Sequence, residues 1–321
     1  MAYTTLAKIN DAYVGSSVSI ASGLIKRNTF MGILPFASAS HGNKDKFRLY
    51  DTSPTVSRTN DTENYTPSAL DPTLTELSLT MLGIVHQEPA RIVDQFPVPE
   101  GMAERTSYEA YFAERQSLFL NALGKEFTER CFYGTSTGYD FEGIIPQATA
   151  DSTVTDLGGG AGASTDIMII RFDEENCHGL FNEKLVADNK LVDVRWTPSK
   201  GATQMVSNAS GQQTQVYSAV YSTALGLKIA SSGYVSAITG IDASNKPTIA
   251  NIDKALRQAG QYLDRANTII ICSPLGYTYL SEVLGGDLRR YTSANIGELS
   301  TVVETYNGSM VIIDNNVSDA K

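Results

Sequence analysis

Cysteine and histidine are both scarce. The chain has 321 residues but only three cysteines (Cys131, Cys177, Cys272) and three histidines (His41, His86, His178). Three widely spaced cysteines build neither a disulfide framework nor a zinc knuckle, and they suit a reducing compartment. Three scattered histidines leave little material for imidazole chemistry. Positive charge is also short: 25 basic against 35 acidic residues give a formal net charge of −10. Such a chain is a poor reader of nucleic acid by phosphate neutralisation. No apolar run approaches the ~18–20 residues of a membrane span. The N-terminus lacks a basic stretch before its apolar residues, which Ser and Gly interrupt, so it does not read as a secretory signal. A soluble, intracellular product with no membrane partner is expected. Apolar residues at 42% and charged residues at 19% indicate a folded chain.

The present features are unevenly distributed. Residues 1–36 are Ser- and Gly-rich and read as an arm with one short helix at most. The first fifty residues carry six basic side chains (Lys8, Lys26, Arg27, Lys44, Lys46, Arg48) against Asp11 and Asp45. That segment is therefore opposite in sign to the body, which suits an arm lying over an acidic surface or near nucleic acid. Lys46–Leu49 and Thr75–Met81 alternate as two-faced strands do. Between them lie over twenty polar residues with Pro54, Pro67 and Pro72, too long for an ordinary internal loop. A two-stranded hairpin of this kind is not stable alone in water, so it is expected to need partners.

The spacing predicts a long helix over Glu104–Phe132. Tyr108, Phe112, Phe119, Leu123 and Phe127 fall near one face, with Tyr111, Leu118 and Ala122 beside them. Arg105–Glu109, Lys125–Glu129 and Glu126–Arg130 are favourable i,i+4 pairs. Strands are expected at 166–172, 191–196, 215–229 and 234–241. A helix is expected from Ile249 to Leu263, a buried strand at Thr268–Cys272, a helix from Leu275 to Leu284 and a strand at Ser309–Ile313. The class is α+β.

No catalytic constellation emerges. The Gly158–Gly162 run lacks the Gly-Lys-Ser/Thr ending of a phosphate loop and leads into a strand, not a helix. Cys177 and His178 are neighbours on a strand and point to opposite faces. A buried structural Cys is the better reading there. Asp173-Glu174-Glu175 lacks the oxygen spacing of a calcium loop and reads as a solvated turn. Ser273 precedes Pro274 at a helix start with no His placed to activate it. Neither Gly-x-Ser-x-Gly nor His-Glu-x-x-His occurs. Catalytic, cofactor-binding and metal-binding residues are therefore all read as none, and a non-enzymatic protein that acts through its surfaces is favoured.

The order of segments resembles a known family. Glu129-Arg130-Cys131-Phe132-Tyr133-Gly134 leads into Phe141-Glu142-Gly143-Ile144. Ile169-Ile170-Arg171-Phe172 and Cys177-His178-Gly179-Leu180-Phe181 follow. Then come Val220–Leu227, Asn251–Leu256 and Tyr306–Ile313. In this order they resemble tailed-bacteriophage major capsid proteins of the HK-97-like fold. A sheet block at 169–241 ahead of a helical block at 249–313 is similar to the permuted epsilon-fifteen and Bordetella-phage type of short-tailed phages. Lys228-Ile229-Ala230-Ser231-Ser232-Gly233-Tyr234 departs from that subgroup's strand.

The resemblance implies an N-terminal arm at 1–36 and an extended loop at 37–90. It also implies a peripheral domain at 91–245 with spine helix 104–132, an axial domain at 246–313 and a C-terminal tail at 314–321. It implies hexamers and pentamers closing into an icosahedral shell around double-stranded DNA held without sequence specificity, with a portal protein and no cofactor. The location would be the virion capsid, assembled in the host bacterial cytoplasm. Because the arm-like segment begins at Met1, a separate scaffold, or none, is expected. Inter-subunit contacts are expected from Lys44, Lys46, Arg48, Asp51, Arg58, Asp61, Glu63 and Asp71. Lys8, Lys26 and Arg27 would face the interior or neighbours. Lys44 or Lys46 with Asn315 or Asn316 could form the Lys–Asn isopeptide bond of some relatives, but non-covalent contacts with a cement protein are the stronger expectation. The alternatives are an encapsulin-like compartment or an unrecognised cytoplasmic enzyme.

Overall fold

The structure is a computed structural model. It describes residues 4–5, 28–49, 73–97, 107–137, 140–160, 164–182, 192–207, 211–285, 290–296 and 299–319. Two seven-stranded sheets and a two-stranded hairpin carry the architecture.

The first sheet is organised by β11 (Gln213–Ile229), whose 17 residues reach roughly 55 Å at ~3.3 Å each. On one flank lie β8 (Cys177–Phe181), β9 (Asp193–Thr197) and β10 (Gln204–Ser207), all antiparallel to it. Together they line one edge of β11 in succession, against Leu225–Ile229, Ser218–Ser222 and Gln213–Val216. On the other flank lies β5 (Thr80–Pro89), in unbroken register from Leu225↔Thr80 to Val216↔Pro89. β2 (Pro35–Ser38) runs parallel to β8, and β1 (Thr4–Thr5) pairs with β2. The hairpin of β3 (Lys44–Leu49) and β4 (Thr73–Ser78) precedes β5 directly.

The second sheet runs β14 (Arg290–Ile296), β15 (Leu299–Tyr306), β16 (Ser309–Ile313), β13 (Thr268–Cys272), β7 (Thr165–Arg171), β12 (Val235–Ile241), β6 (Val154–Asp156). Every residue of β7 and β13 is buried. Ile167, Ile169, Ile270 and Cys272 face α5 (Ile249–Gln258) and α6 (Pro274–Leu284), where they meet Ile252, Leu256, Leu280 and Leu284. Met168, Ile170, Ile269 and Ile271 face the opposite way, into the main core. A strand covered on both faces reads as a continuous apolar run, as these two do.

That main core is closed by α3 (Ser107–Tyr133), the long helix expected from the sequence. Tyr111, Phe112, Leu120, Leu123, Phe127, Cys131 and Phe132 are buried. Leu118, placed beside the apolar face, is instead 64% exposed. The start expected at Glu104 lies outside the described residues. Two short helices, α2 (Ala90–Val93) and α4 (Ile144–Ala150), were not anticipated. The turn into α4 needs Gly143, because a Cβ there would sit 2.7 Å from the Arg130 carbonyl oxygen and 2.9 Å from the Gly134 nitrogen.

Three expectations are corrected. Residues 28–36 were placed in a free arm, yet Phe30 and Met31 of α1 (Thr29–Ile33), Leu34 and Phe36 are at most 2% exposed and join the main core. Residues 169–241, read as one sheet block, divide between the two sheets: after β6 and β7 the chain leaves the second sheet, runs through β8–β11 of the first and returns at β12. The expected boundary at 245/246 consequently runs through the second sheet, where β6, β7 and β12 join β13. The hairpin of β14 and β15 had not been foreseen. Among the described residues no helix is long and apolar enough to cross a membrane.

Candidate assembly surface

The β3–β4 hairpin is anchored at its root by a buried ion pair. Lys228 Nζ on β11 lies 3.2 Å from Asp45 Oδ2 on β3, with the two side chains 10% and 9% exposed. The ammonium also sits 4.4 Å from the Phe47 ring centroid. Ser40 donates its backbone N–H to Asp45 Oδ1 at 3.1 Å. Burial opposes ionisation of Asp45, but the Ser40 amide and the Lys228 charge outweigh it and hold the carboxyl below its ordinary range. His178, opposite Lys228 on β8, is 4% exposed. Burial first, then Lys228, lowers its pKa to about 4, so it is neutral at pH 7.

On either side of Asp45, Lys44 and Lys46 both reach Glu76 on the paired strand, at 3.1 and 2.5 Å. Lys46, then Lys44, pull the Glu76 carboxyl down to about 2. Two residues expected at subunit contacts are thus engaged within their own hairpin. Arg48 is exposed and lines a cavity of about 540 Å³ with Asp45, His178, Glu174 and Glu175. Asp51, Arg58, Asp61, Glu63, Asp71, Lys8, Lys26 and Arg27 lie outside the described residues. Asn316, named as a cross-link reactant, instead donates to Asn28 Oδ1 at 3.0 Å and Asp314 Oδ1 at 2.8 Å.

The first sheet has two unlike faces. Ile84, His86 and Tyr221 lie towards α3: His86 stacks on Phe119 and Tyr221 stacks on the same ring. The opposite face of β5 is bare, with Met81 at 51% and Val85 at 53% exposure. Their cross-strand partners are Ala224 and Val220. Apolar side chains grouped on an open sheet face mark a contact surface better than scattered ones do.

The residues weighed for chemistry have structural roles. Ser273 Oγ accepts the Gly276 N–H at 2.9 Å and so caps α6. Asp173 Oδ1 accepts the N–H groups of Glu175 and Asn176, at 3.0 and 2.9 Å, which closes the expected turn. Cys131, Cys177 and Cys272 are buried, and burial raises each thiol pKa, the opposite of an activated thiolate. Among the described residues no group of three or more His, Cys, Asp or Glu could hold a metal ion. The Asp45–Lys228 anchor was missed from sequence because it joins residues far apart in the chain. Only the unusual Lys in an otherwise apolar strand end, Gly226-Leu227-Lys228-Ile229, hinted at it.

Comparison with known proteins fits a surface-acting protein. The bacteriophage Epsilon15 structure is similar at 14% identity and a TM-score of 0.55, covering 87% of this chain and 84% of that chain. The bacteriophage JBD30 capsid is similar at 6% identity and a TM-score of 0.51, covering 91% of each chain. A chain of the encapsulin complex from Synechococcus elongatus matches at 13% identity and a TM-score of 0.41, covering 65% of this chain and 85% of that one. No curated protein sequence matches the chain. The two phage likenesses establish the HK-97-like fold. The family model described as major capsid protein GP7 matches residues 102–284, more than half of the chain, from the spine helix through β11 to α6. The chain therefore belongs to the major capsid protein GP7 family and is a phage capsid shell protein, not an enzyme.

Proposed function

We propose that this capsid protein assembles as hexamers and pentamers into an icosahedral shell around phage double-stranded DNA. The observation that carries the proposal is the family match over residues 102–284. It is supported by a body with a complete core beside a hairpin and a sheet face with exposed apolar side chains. In this proposal residues 1–27 form an arm crossing to neighbours. Residues 37–90 supply the extended loop that lies over an adjacent subunit. The first sheet with α3 forms the peripheral unit, and the second sheet with α5 and α6 the axial unit. Arg48 and the charged residues of 51–71 make inter-subunit contacts. Assembly takes place in the host cytoplasm with a separate scaffold, and the shell carries a portal and a small cement protein.

Expression of the chain with and without candidate scaffold genes, followed by electron microscopy and nucleic-acid assay of the particles, tests this. Closed shells that hold DNA in an infected cell are expected. Particles filled with a protein cargo would transfer the chain to the compartment reading. A species below ~100 kDa at all concentrations would overturn the shell altogether. Boiled virions should give a monomer band and a second, smaller abundant band; a covalent ladder would reject non-covalent joining.

A further inference from the structure

Strand β5 has one edge in use and one edge free. Among the described residues its only paired neighbour is β11, in unbroken register. Two hydrogen bonds show which way its backbone groups turn. Asn182, just after β8, donates its N–H to the Ala224 carbonyl at 3.2 Å, so the even-numbered residues of β11 turn their backbone groups towards β8. The odd-numbered ones turn towards β5. With Leu225 opposite Thr80, they are answered by Thr80, Leu82, Ile84, His86 and Glu88. Met81, Gly83, Val85 and Gln87 therefore turn their N–H and C=O groups away from β11. Leu79, one step earlier in the same series, shows that direction directly: its N–H goes outward to the Asn43 carbonyl at 2.9 Å.

Met81, Gly83, Val85 and Gln87 are all exposed, and among the described residues nothing hydrogen-bonds to their outward backbone groups. Asn43 closes the series at Leu79, and Pro89, which has no N–H, closes it at the other end. The free stretch between them spans about 20 Å at ~3.3 Å per residue. It lacks the devices that keep an edge from pairing: β5 contains no Lys or Arg and no bulge, and its proline comes last.

This edge is self-complementary. A second β5 laid antiparallel about a two-fold axis at Ile84 sets Met81 opposite Gln87 and Gly83 opposite Val85. All four outward N–H groups of each copy then find a carbonyl. Each Val85 lies beside a Gly83 that has no side chain to displace. The half-buried Ile84 meets its own copy in a non-hydrogen-bonded pair, with Cα atoms ~4.5 Å apart. Glu88 falls opposite the partner's Thr80, so no like charges meet. Neighbouring registers are poorer. Centring on Gly83 puts Gln87 opposite Leu79, whose N–H is already used, and centring on Val85 puts Met81 opposite Pro89.

We propose that the free edge of β5 is an isologous pairing site for the same edge of a second copy of this chain, joined antiparallel about a two-fold axis at Ile84. The axis stands perpendicular to the joined sheet, so both spine helices lie on one face and both open faces on the other. This rests on the shell reading, in which two-fold axes perpendicular to the shell relate neighbouring capsomers.

Cysteine pairing in full-length chains tests the register, because the native cysteines are buried. Particles of Ile84→Cys, and particles co-assembled from Gly83→Cys and Val85→Cys chains, are treated with diamide and run on a non-reducing gel. A Cβ at Gly83 would have its nearest neighbours at 3.7 and 4.0 Å, so cysteine fits there. Disulfide dimers are expected from Ile84→Cys and from the mixture, and monomers from Gly83→Cys or Val85→Cys assembled alone. The mixture, at two exposed positions, decides the matter if Ile84→Cys folds poorly. Val85→Pro removes an N–H that the subunit does not use, so melting should stay within a few degrees while the yield of shells falls about tenfold. Monomers throughout, in shells of normal yield, would overturn the pairing and leave the shell standing. A dimer from Gly83→Cys or Val85→Cys alone would overturn the axis at Ile84, and normal shells from Val85→Pro would overturn the backbone pairing. If the parent forms no shells, the shell reading fails by itself. An Ile84→Cys dimer in concentrated solution would then support the pairing, and its absence would overturn it.

Discussion

The two sheets solve burial differently. In the second, β7 and β13 are covered on both faces, and their six isoleucines and one methionine divide almost evenly between two cores. In the first, the spine helix covers one face of β5 and β11, and Met81 and Val85 stand in solvent on the other, although the Thr223–Ile229 end of β11 is buried at every residue. The two central strands of the second sheet are fully buried within one subunit. The first is half a layer, and its hairpin is tied down at the root by a single buried ion pair. A shell subunit needs both kinds: a self-sufficient body that folds before assembly, and a surface whose burial is deferred until a neighbour arrives. Subunit stability and assembly are therefore expected to respond to different substitutions.

The largest effect on the subunit should come from the doubly covered sheet. Ile270→Ala removes a side chain packed among α5 and α6, with no solvent to fill the space. A loss of about 4 kcal/mol is expected, from transfer and cavity together. Denaturant unfolding of the unassembled protein measures it. A loss below about 1 kcal/mol would show the second sheet to be less self-sufficient than its burial indicates.

Next comes the hairpin anchor. Asp45→Ala leaves Lys228 charged and nearly buried, at a cost of about 3 kcal/mol, whereas Asp45→Ala with Lys228→Met removes both charges and should recover most of it. A double-mutant cycle reads the coupling. Full additivity would mean that the hairpin root is held by packing around Phe47 rather than by the pair.

Acid should also separate the regions, because both buried histidines lie in the first sheet. Burial lowers the pKa of His86, and that of His178 falls to about 4. A folded-state pKa below the unfolded value of ~6.5 means that the unfolded chain binds the extra proton. Stability is then complete above pH ~6.5 and declines as pH falls towards 4, by about 2–3 kcal/mol for His178. His178→Asn, which can still donate to the Asp173 carbonyl, should flatten the decline between pH 6.5 and 4. An unchanged pH profile in that variant would assign the acid sensitivity to His86 or elsewhere.

These differences also explain what could be read from the sequence. The second sheet announced itself where strands are buried twice: Ile167-Met168-Ile169-Ile170 and Thr268–Cys272 are uninterrupted apolar runs. The spine helix was legible because its aromatic residues repeat at helical spacing over seven turns. The β14–β15 hairpin was not, since Arg290–Ile296 is mostly small and polar and owes its form to pairing with Leu299–Tyr306. The reach of β5 beyond Met81 was hidden because Leu82, Ile84 and His86 face inward while Met81 and Val85 face outward, so apolar residues lie on both sides and no alternation shows. The Asn28–Asp314–Asn316 junction leaves no periodic trace at all. Polar residues at opposite ends of a chain meet only because the folded core brings those ends together.

The smallest effect on the subunit should be the largest test of the deferred surface. Met81 and Val85 project from the open face of β5, more than half exposed, so replacing them removes little that the isolated subunit has buried. Threonine suits a strand at both positions and keeps the branched shape at Val85. Met81→Thr with Val85→Thr should shift unfolding by no more than about 0.5 kcal/mol per site. If a neighbour covers this face in the shell, the same pair loses apolar burial in every copy, at ~25 cal/mol per Å² of area removed from contact. The concentration needed for assembly should then rise severalfold while the melting curve stays in place. Light scattering across a dilution series, beside calorimetry on the same unassembled protein, gives both readouts. An unchanged assembly threshold would show that the open face of the first sheet remains in solvent in the shell, and that the hairpin and the N-terminal segment alone hold the subunits together.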